Sequence, residues 1–426
     1  MAVSAKLQAM SPDVVVVGAG AAGIIAAWRA AKLGARVVLL EKNVRIGTKI
    51  LVSGGGKCNI THDGELEDVL RAFRPNEARF IRPACYRFTN RQIIQMLTSR
   101  GLEVYTRPDG RIFPVHQTAK EVVNILDSYL RDAKVDVRLS TQVRRIMHEK
   151  GAVTGVEAEQ GEIVCPRVVL SVGGSSYPGT GTTGDAYPWV KELGHTLVKI
   201  RAALAPMYLA IDEDWPEQRA GVALRDIVLK ARQGKEIARW RGDILFTHHG
   251  VSGPTALAVS RIVAERVGEG SITLEVDLAP DLRFESLLAK TELWVAANPR
   301  KLLTSYAEEF VPQRLASHLF SSIADGRTAQ GLSAKLRNRV VETIKAWPLG
   351  PVRAIPLEKG EVVAGGIALD EVDPQTMRSL KCKGLYPCGE ILDIAGPVGG
   401  YNLQAAFATG FVAGETAAGD ASDKIG

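Results

Sequence analysis

The hydrophobic pattern at the start of the chain predicts a strand, a helix and a second strand in close succession. Residues 13–17 (DVVVV) form an apolar run, residues 21–33 are rich in alanine with helical spacing, and residues 36–41 form a second apolar run. Short turns containing glycine separate the three segments. Strands alternating with helices in this way are typical of open parallel sheets. The chain is therefore predicted to begin with a βαβ unit.

The pattern changes twice further along the chain. Helical spacing and strands alternate up to about residue 191, after which short irregular strands rich in arginine and aspartate predominate. Helical spacing returns from about residue 284, and the last stretch predicts a strand, a loop and a terminal helix that rejoin the first domain. The predicted segments are a first part of a nucleotide-binding domain (1–191), an inserted β-rich lobe (192–283), a helical subdomain (284–350) and a C-terminal part of the nucleotide-binding domain (351–426).

Composition narrows the class of protein. Hydrophobic residues make up 46% of the chain and charged residues 23%, which is ordinary for a globular protein. The five cysteines are scattered without a CxxC pair, so we expect neither a disulfide framework nor a metal site, and a reducing cytoplasmic location. Arginine, lysine and glycine interrupt the apolar stretch 14–40, so we expect no membrane span there, and the first twelve residues do not resemble a signal peptide.

Positive charge is concentrated in one segment. The net charge is +6, and the segment Arg71–Arg111 alone contains nine arginines against three acidic residues. Arginine interleaved with aromatic side chains can bind phosphates and stack on unpaired bases, so contact with RNA is one interpretation of this segment. Packed aromatics and a solvated charged face are the alternative. The interleaved aromatics are Phe73, Phe80, Tyr86, Phe88 and Tyr105.

The turn after the first strand carries a dinucleotide-binding pattern. Residues 18–23 read GAGAAG and open the alanine-rich helix, which is the context that the G-x-G-x-x-G motif requires. We expect Gly18 to permit the tight turn, Gly20 to let the backbone approach a pyrophosphate, and Gly23 to let helix and strand pack closely. The amides at the helix start would then hold the phosphates.

An acidic residue at the end of the second strand indicates which dinucleotide fits. Glu41 lies 18 residues beyond Gly23, where a carboxylate accepts hydrogen bonds from an adenosine ribose and repels a 2′-phosphate, which favours FAD or NAD over NADP. A second match, residues 179–184, follows Tyr177-Pro178 rather than a strand, and Asp185 would lie at the following helix N-terminus. We expect no second dinucleotide site there.

Several further motifs resemble a known family over nearly the whole chain, the BaiN/RdsA-like (aminoacetone-oxidase-like) group of FAD-dependent oxidoreductases. This resemblance implies one bound FAD and an α/β fold: a discontinuous Rossmann-type FAD-binding domain with an inserted β-rich lobe and a helical subdomain. The motifs are 47–49 (GTK), 53–61 (SGGGKCNIT), 173–178 (GGSSYP) with 181–185 (GTTGD), 246–254 (FTHHGVSGP), 365–366 (GG), 389–393 (GEILD) and 399–404 (GGYNLQ).

The returning C-terminal segment adds its own reasons for a flavin. Glu390 follows a predicted strand where flavoproteins of this fold bind ribityl or pyrophosphate groups, and Gly399 and Gly400 would let amides approach. A helix from Asn402 would point its positive end at the flavin N1/O2 edge. The predicted FAD-binding residues are Gly18, Gly20, Ala21, Ala22, Gly23, Glu41, Lys42, Lys49, Ser53, Gly54, Gly55, Lys57, Val143, Gly173, Gly174, Gly389, Glu390, Gly400, Asn402 and Leu403.

The resemblance implies hydride transfer to an electron-poor C=C bond, in some members that of a uridine in ribosomal RNA. NAD(P)H or another small donor would have to dock at the flavin directly, since no second Rossmann motif is present. The candidate proton donors are Cys58, Tyr401, His248 and His249; Lys57 would lower the pKa of Cys58 if it lay close. The alternatives are an amine oxidase that uses O2 and an RNA-binding factor with structural FAD.

Overall fold

The computed structural model describes residues 11–422 except 117, 212–214, 216–218 and 325. The chain divides into two compact units. The first consists of Met1–Ile200 with Glu361–Gly426, and the second of Arg201–Gly360. The first unit is therefore built from both ends of the chain.

The strands and helices are numbered in chain order. The strands are β1 (Val14–Val17), β2 (Val37–Leu40), β3 (Thr61–His62), β4 (Val104–Thr106), β5 (Arg111–Pro114), β6 (Asp136–Arg138), β7 (Val143–Glu149), β8 (Ala152–Ala158), β9 (Gly161–Val164), β10 (Val168–Leu170), β11 (Leu197–Ala203), β12 (Met207–Leu209), β13 (Ala223–Gln233), β14 (Lys235–Thr247), β15 (Gly250–Ser252), β16 (Thr273–Asp277), β17 (Trp347–Ala354), β18 (Val362–Ile367) and β19 (Leu385–Pro387). The helices are α1 (Ala21–Lys32), α2 (Thr48–Val52), α3 (Leu66–Arg71), α4 (Pro75–Arg87), α5 (Asn90–Thr98), α6 (Ala119–Asp132), α7 (Ala186–Glu192), α8 (Pro254–Arg266), α9 (Phe284–Ala297), α10 (Leu303–Ala307), α11 (Gln313–Leu319), α12 (Ser321–Ala324), α13 (Ala334–Lys345) and α14 (Tyr401–Ser422).

A five-stranded parallel sheet forms the centre of the first unit, in the order β19-β10-β1-β2-β6. β1 and β2 are fully buried, as expected for strands covered on both faces. β19 comes from the C-terminal part of the chain and pairs with β10, so both parts share one sheet. The predicted Rossmann-type, discontinuous α/β fold is confirmed.

Helices α1 and α14 pack at very short distance in this unit. A Cβ on Gly410 would lie 2.2 Å from the carbonyl oxygen of Ala22, and one on Gly414 would lie 2.1 Å from that of Ala26. Only glycine fits at both positions, because any side chain would meet backbone atoms. The four-residue glycine spacing on α14 therefore fixes the terminal helix against the helix that follows the dinucleotide motif.

The second unit contains a closed six-stranded barrel, in the order β12-β15-β14-β13-β16-β17. The predicted boundary at residues 283 and 284 does not separate two cores, since barrel residues such as Leu229 and Phe246 share one hydrophobic core with Leu287 and Val340 of the helices. The predicted β-rich lobe and helical subdomain are thus one compact unit. Its limits also differ from the prediction, because residues up to 200 belong to the first unit, where Lys199 lies against Gly365.

Within the described ranges, no helix is long and apolar enough to cross a membrane. The cysteines Cys58, Cys85, Cys165, Cys382 and Cys388 are buried free thiols.

Candidate functional site

The turn Gly18–Gly23 has the geometry that its sequence pattern predicts. Gly18 has a φ of +94°, and its Cβ would lie 2.7 Å from the Ser171 carbonyl oxygen, while a Cβ on Gly23 would lie 1.9 Å from that of Gly18. These two glycines are required for packing. Gly20 differs, because a Cβ there would meet nothing within 4 Å. The turn therefore leaves open space in front of the α1 N-terminus at Ala21 and Ala22, where backbone amides attract anions.

Glu41 follows β2 directly, and its carboxylate is buried and held in place. Its Oε2 accepts a hydrogen bond from the Ala19 backbone N at 2.8 Å, and its Oε1 accepts from the backbone N and the Nδ2 of Asn43, both at 2.8 Å. A carboxylate oxygen can accept two hydrogen bonds. Oε2 therefore keeps one acceptor position, which suits the predicted contact with a ribose hydroxyl.

Lys42 is paired with the second glycine-rich segment. Its Nζ donates to Thr183 Oγ1 at 2.7 Å and to Asp185 Oδ2 at 2.6 Å, and the neighbouring Asn43 donates to the Thr180 carbonyl oxygen at 3.1 Å. The segment 179–184 begins within a 3-10 turn, Pro178–Thr180, and Asp185 is the N-cap of α7. It lacks the strand that a dinucleotide site requires, and it packs beside Glu41 instead. Nothing in the sequence pattern indicated this contact.

Lys49 and Glu390 form the second fixed part of the site. The Lys49 ammonium donates to both Glu390 carboxylate oxygens, at 2.7 and 3.0 Å, and to Ser176 Oγ at 2.9 Å. Glu390 also accepts from the backbone N of Val363 at 3.0 Å and of Gly174 at 3.4 Å. Ser176 Oγ also donates to Glu390, at 3.4 Å. Since Glu390 thus bonds four protein groups, its first role in the structure is to hold Lys49 and the Gly173–Gly174 turn.

Three further glycines that are predicted to contact FAD lie against other parts of the protein. A Cβ on Gly173 would lie 2.5 Å from the Thr182 side chain, one on Gly174 would lie 2.4 Å from Val363, and one on Gly389 would lie 2.8 Å from Ala22. These positions are small because neighbouring elements pack there. Contact with FAD at these three glycines stays a prediction, as does contact at Val143, which is buried at the start of β7.

The segment Ser53–Gly56 is a 3-10 turn in which Gly54 and Gly55 have positive φ angles of 56° and 69°. Ser53 Oγ donates to the Ile50 carbonyl oxygen at 2.7 Å. A Cβ on Gly54 would lie 2.9 Å from the Asn59 backbone N, whereas one on Gly55 would meet nothing within 4 Å. Gly55 thus faces open space, and Lys57 is half-buried.

Cys58 lies fully buried in the hydrophobic core of the first unit. Burial raises the pKa of its thiol to about 12, and a hydrogen bond to Ser53 opposes this only in part. The expectation that Lys57 lowers the pKa of Cys58 is therefore wrong. A thiol that holds its proton so tightly is a poor proton donor at neutral pH.

The segment before α14 also differs in detail from the prediction. A Cβ on Gly400 would lie 2.5 Å from the Thr61 carbonyl carbon, so the backbone of β3 packs too close to this position for a side chain. α14 begins at Tyr401 rather than at Asn402. The Asn402 side chain bonds the backbone N and O of Gly396, at 2.8 and 3.0 Å, and so fixes the preceding loop. Leu403 packs against the core.

His62 is a residue of this region that the sequence reasoning missed. Its ring stacks on Tyr401, with centroids 4.8 Å apart and planes at 17°. Both ring nitrogens lie within hydrogen-bond distance of carbonyl oxygens, that of Asp63 at 2.8 Å and that of Asp109 at 3.0 Å. Phe73 contacts Tyr401 edge-on. The position of His62 directly after the SGGGKCNIT motif was the available signal.

The arginines of the segment Arg71–Arg111 are mostly paired with acidic residues, many of which lie outside the segment. Phe73, Phe80 and Phe88 are buried in the core, and the Tyr86 hydroxyl donates to Glu67 at 2.6 Å. The prediction that these phenylalanines are available to stack on bases is wrong, because they serve packing. The ion pairs are Arg71–Asp68, Arg82–Glu67, Arg87–Glu415, Arg91–Glu65, Arg100–Asp132 and Arg111–Asp109.

His248 and His249 belong to the second unit, in the turn between β14 and β15. Both are exposed, and the His249 ring lies 5.1 Å from that of Tyr208. Proton donation by either histidine stays a prediction.

Comparison with known proteins identifies the family. Residues 12–416 match the model of the HI0933-like protein Rossmann domain. The chain is 28% identical over 401 residues to the ribosomal RNA dihydrouridine synthase of Haemophilus influenzae, covering 93% of this chain and 96% of that protein. It is 30% identical over 410 residues to the 3-dehydro-bile acid delta(4,6)-reductase of Clostridium scindens, covering 95% of this chain and 98% of that protein.

A solved structure with the same fold is that of the 3-ketosteroid delta1-dehydrogenase of Sterolibacterium denitrificans, with a TM-score of 0.54 and 14% identity over 96% of this chain and 99% of that one. The open turn at Gly20, the amides at the α1 N-terminus and the free acceptor position on Glu41 fit a dinucleotide. The chain therefore belongs to the HI0933-like family of Rossmann proteins, and it is an FAD-dependent oxidoreductase.

Proposed function

We propose that this protein is a reductase in which hydride from NAD(P)H or a similar small donor passes by way of FAD to an electron-poor C=C bond. The observation that carries the proposal is the pairing of an open, anion-attracting turn at Gly20 with a carboxylate that keeps one acceptor position, Glu41 Oε2. In its most specific form, the substrate is a uridine of ribosomal RNA, which becomes dihydrouridine.

The chain's own residues would hold the cofactor at three points. The amides at the start of α1 would bind the pyrophosphate, and Glu41 would accept a hydrogen bond from the adenosine ribose. Lys49, oriented by Glu390, would place a positive charge beside the bound nucleotide. FAD, when bound, supplies the site that accepts hydride from the donor and passes it on.

The names of the two relatives support the reaction class. One is a dihydrouridine synthase and the other a delta(4,6)-reductase, and the chain covers nearly the whole length of both. Uracil and an unsaturated ketone share a C=C bond conjugated with a carbonyl group. Such a bond takes up hydride at one carbon and a proton at the other, so one arrangement of FAD and an acid would serve both substrates.

Two features bear on the partners of this reaction. The segment 179–184 packs against Lys42 and Asn43, so an NAD(P)H donor has no second Rossmann site among the described residues and would dock at the flavin itself. The paired arginines of the segment Arg71–Arg111 give little support to RNA binding there. The RNA substrate is therefore supported by the relatives more than by this segment.

Mass spectrometry of ribosomal RNA from a strain lacking the gene tests the specific form of the proposal. We expect dihydrouridine to disappear from the large-subunit RNA and to return when the wild-type gene is restored. A Gly20→Val gene, designed to obstruct the pyrophosphate position, should not restore it. Dihydrouridine retained in the deletion strain would exclude this RNA substrate and would leave small unsaturated ketones to be tested with the purified protein.

A further inference from the structure

Glu361 lies at the same hydrogen-bond network that orients Lys49. It directly precedes β18, and Ser176 Oγ lies 3.4 Å from its carbonyl oxygen and 2.9 Å from the Lys49 Nζ. Two residues further on, the Val363 backbone N donates to Glu390. The backbone at Glu361 is therefore fixed by the residues that hold Lys49 in the candidate FAD site.

The carboxyl group of Glu361 differs from the other carboxylates of this site. Glu41 and Glu390 accept several hydrogen bonds each, and Asp393 accepts one from the Gly365 backbone N at 2.8 Å. Glu361 is exposed, and among the described residues none forms a hydrogen bond with its carboxylate. The three partnered carboxylates hold the fold and the cofactor, whereas Glu361 is available to an incoming molecule.

The surroundings of Glu361 favour its protonated form. Although the residue is exposed, desolvation of its carboxyl group raises its pKa above the ordinary glutamate value. The positive charges of Lys49 and Arg111 lower the pKa and offset only part of this effect. A carboxyl group of this kind carries a proton closer to neutral pH and releases it readily, as general acids do.

The other acids of the first unit are less suited to this role. Cys58 is in the core, and its pKa of about 12 is too high for ready proton release. Burial, together with the charge of Asp109, raises the pKa of the Tyr401 phenol above its ordinary value. Neither group would give up a proton as easily as a carboxyl group.

We propose that Glu361 is the proton donor in the reduction of the C=C bond, a role that rests on the function proposed above. The dihydronicotinamide donor is oxidised, and its hydride reaches one carbon of the C=C bond by way of FAD. The π electron pair of that bond then forms a C–H bond with the proton of Glu361 on the other carbon. Glu361 remains as a carboxylate and takes up a proton from water, so each turnover consumes one NAD(P)H and one proton.

The test compares Glu361→Gln with two other variants in the FAD-loaded protein under anaerobic conditions. Glu358→Gln makes the same chemical change at an exposed position on a 3-10 turn and is the matched control. Glu361→Asp retains a carboxyl group and shows whether a substitution at this position disturbs the fold. Two rates are measured, reduction of the flavin by NAD(P)H and its reoxidation by the unsaturated substrate, both from visible absorbance.

We expect Glu361→Gln to reduce its flavin at a rate within about twofold of wild type and to slow reoxidation by about 10²–10⁴-fold, the usual contribution of a general acid. Glu361→Asp should keep part of the rate, and Glu358→Gln all of it. Wild-type reoxidation should slow as the pH rises through the Glu361 pKa, and this dependence should vanish in Glu361→Gln. Infrared spectra recorded below that pKa should show a protonated-carboxyl band in wild type and Glu358→Gln that is absent in Glu361→Gln.

If the flavin of Glu361→Gln were reoxidised by the unsaturated substrate at the wild-type rate, or if the carboxyl band were unchanged in this variant, the role of Glu361 would be overturned. The proposed function would remain intact. If no unsaturated acceptor reoxidises the wild-type protein, the proposed function itself fails, and the proton-donor role fails with it. Because flavin reduction is followed separately, a variant that has lost FAD is recognised at once, and Glu361→Asp then decides the question.

Discussion

Two glycine-rich turns of the first unit, Gly18–Gly23 and Gly399–Gly400, use glycine in different ways. In the first turn, Gly18 and Gly23 admit backbone atoms, whereas Gly20 faces open space. In the second, Gly400 admits the backbone of Thr61. The motif therefore combines packing positions with one position that faces open space, and the distance from a missing Cβ to its nearest neighbour distinguishes them.

The strongest test of this comparison is Gly23→Ala. The added Cβ would lie 1.9 Å from the Gly18 carbonyl oxygen, and helix α1 would have to move away from β1. We expect a loss of about 3 kcal/mol or more in the free energy of unfolding, at the upper end of the effect of overpacking. Chemical denaturation of the FAD-free protein measures it. A variant that is stable but does not bind FAD would show instead that Gly23 faces the ligand.

Gly400→Ala should have a smaller effect of the same kind. Its backbone has a φ of +89°, and its Cβ would meet the Thr61 backbone at 2.5 Å. Strain and contact together are expected to cost about 1–3 kcal/mol of unfolding free energy. Gly55→Ala is the control, since it has a positive φ but open space. Equal losses in the two variants would mean that backbone strain alone explains the effect.

Gly20→Val should have the opposite effect, because it is expected to weaken FAD binding and to leave the stability of the fold unchanged. Gly20 has φ and ψ angles of −83° and −168°, an extended conformation that any residue adopts, and no atom lies within 4 Å of its Cβ position. We expect the free energy of unfolding of the FAD-free protein to change by less than about 0.5 kcal/mol. The affinity for FAD should fall at least about tenfold, equivalent to about 1.4 kcal/mol. Titration with FAD, followed by flavin fluorescence, measures it, and unchanged affinity would show that the pyrophosphate does not approach Gly20.

The smallest expected effect concerns His195, which lies outside both turns. It is an effect on the pH dependence of the free energy of unfolding, not on the candidate FAD site. His195 is buried, with its ring nitrogens 3.2 Å from Glu371 and 2.8 Å from Ser379 Oγ. Burial lowers its pKa, and Glu371 opposes this only partly. The unfolded chain therefore binds a proton more readily near pH 6.5 than the folded chain does.

The free energy of unfolding should consequently fall as the pH is lowered from 7.5 through 6.5. His195→Gln should be less stable at pH 7.5 and should lose this part of the pH dependence. Thermal unfolding at several pH values, with His249→Gln as an exposed control, measures both changes. Stability that rises on acidification would contradict the assignment of a lowered pKa to His195.

The sequence predicted the elements whose cause is local. The β1–α1 turn, Glu41 after β2 and the returning C-terminal helix follow from periodicity and glycine placement, and the structure contains them. Contacts between distant segments could not be predicted in this way. The ion pairs Lys42–Asp185 and Lys49–Glu390 each join residues more than 100 positions apart along the chain, and no pattern indicates them.

The charge count of the segment Arg71–Arg111 did not predict how its arginines are paired, for a related reason. Glu65 and Glu67 lie just before the segment and Glu415 lies far beyond it, yet all three pair with its arginines. A count along the sequence measures local composition, whereas neutralisation depends on which residues the fold brings together. Burial is likewise a property of the fold, which explains why the pKa of Cys58 is raised although Lys57 precedes it.

The central claim is that the FAD-dependent reaction ends in reduction of a C=C bond, and anaerobic reoxidation of the reduced protein tests it most directly. The flavin is reduced with NAD(P)H and then mixed with ribosomal RNA lacking dihydrouridine, with an unsaturated ketone, or with O2. We predict fast reoxidation by at least one unsaturated acceptor, formation of the reduced product, and slow reaction with O2. Rapid reoxidation by O2 with formation of peroxide, and none by any unsaturated acceptor, would contradict the claim and identify an oxidase.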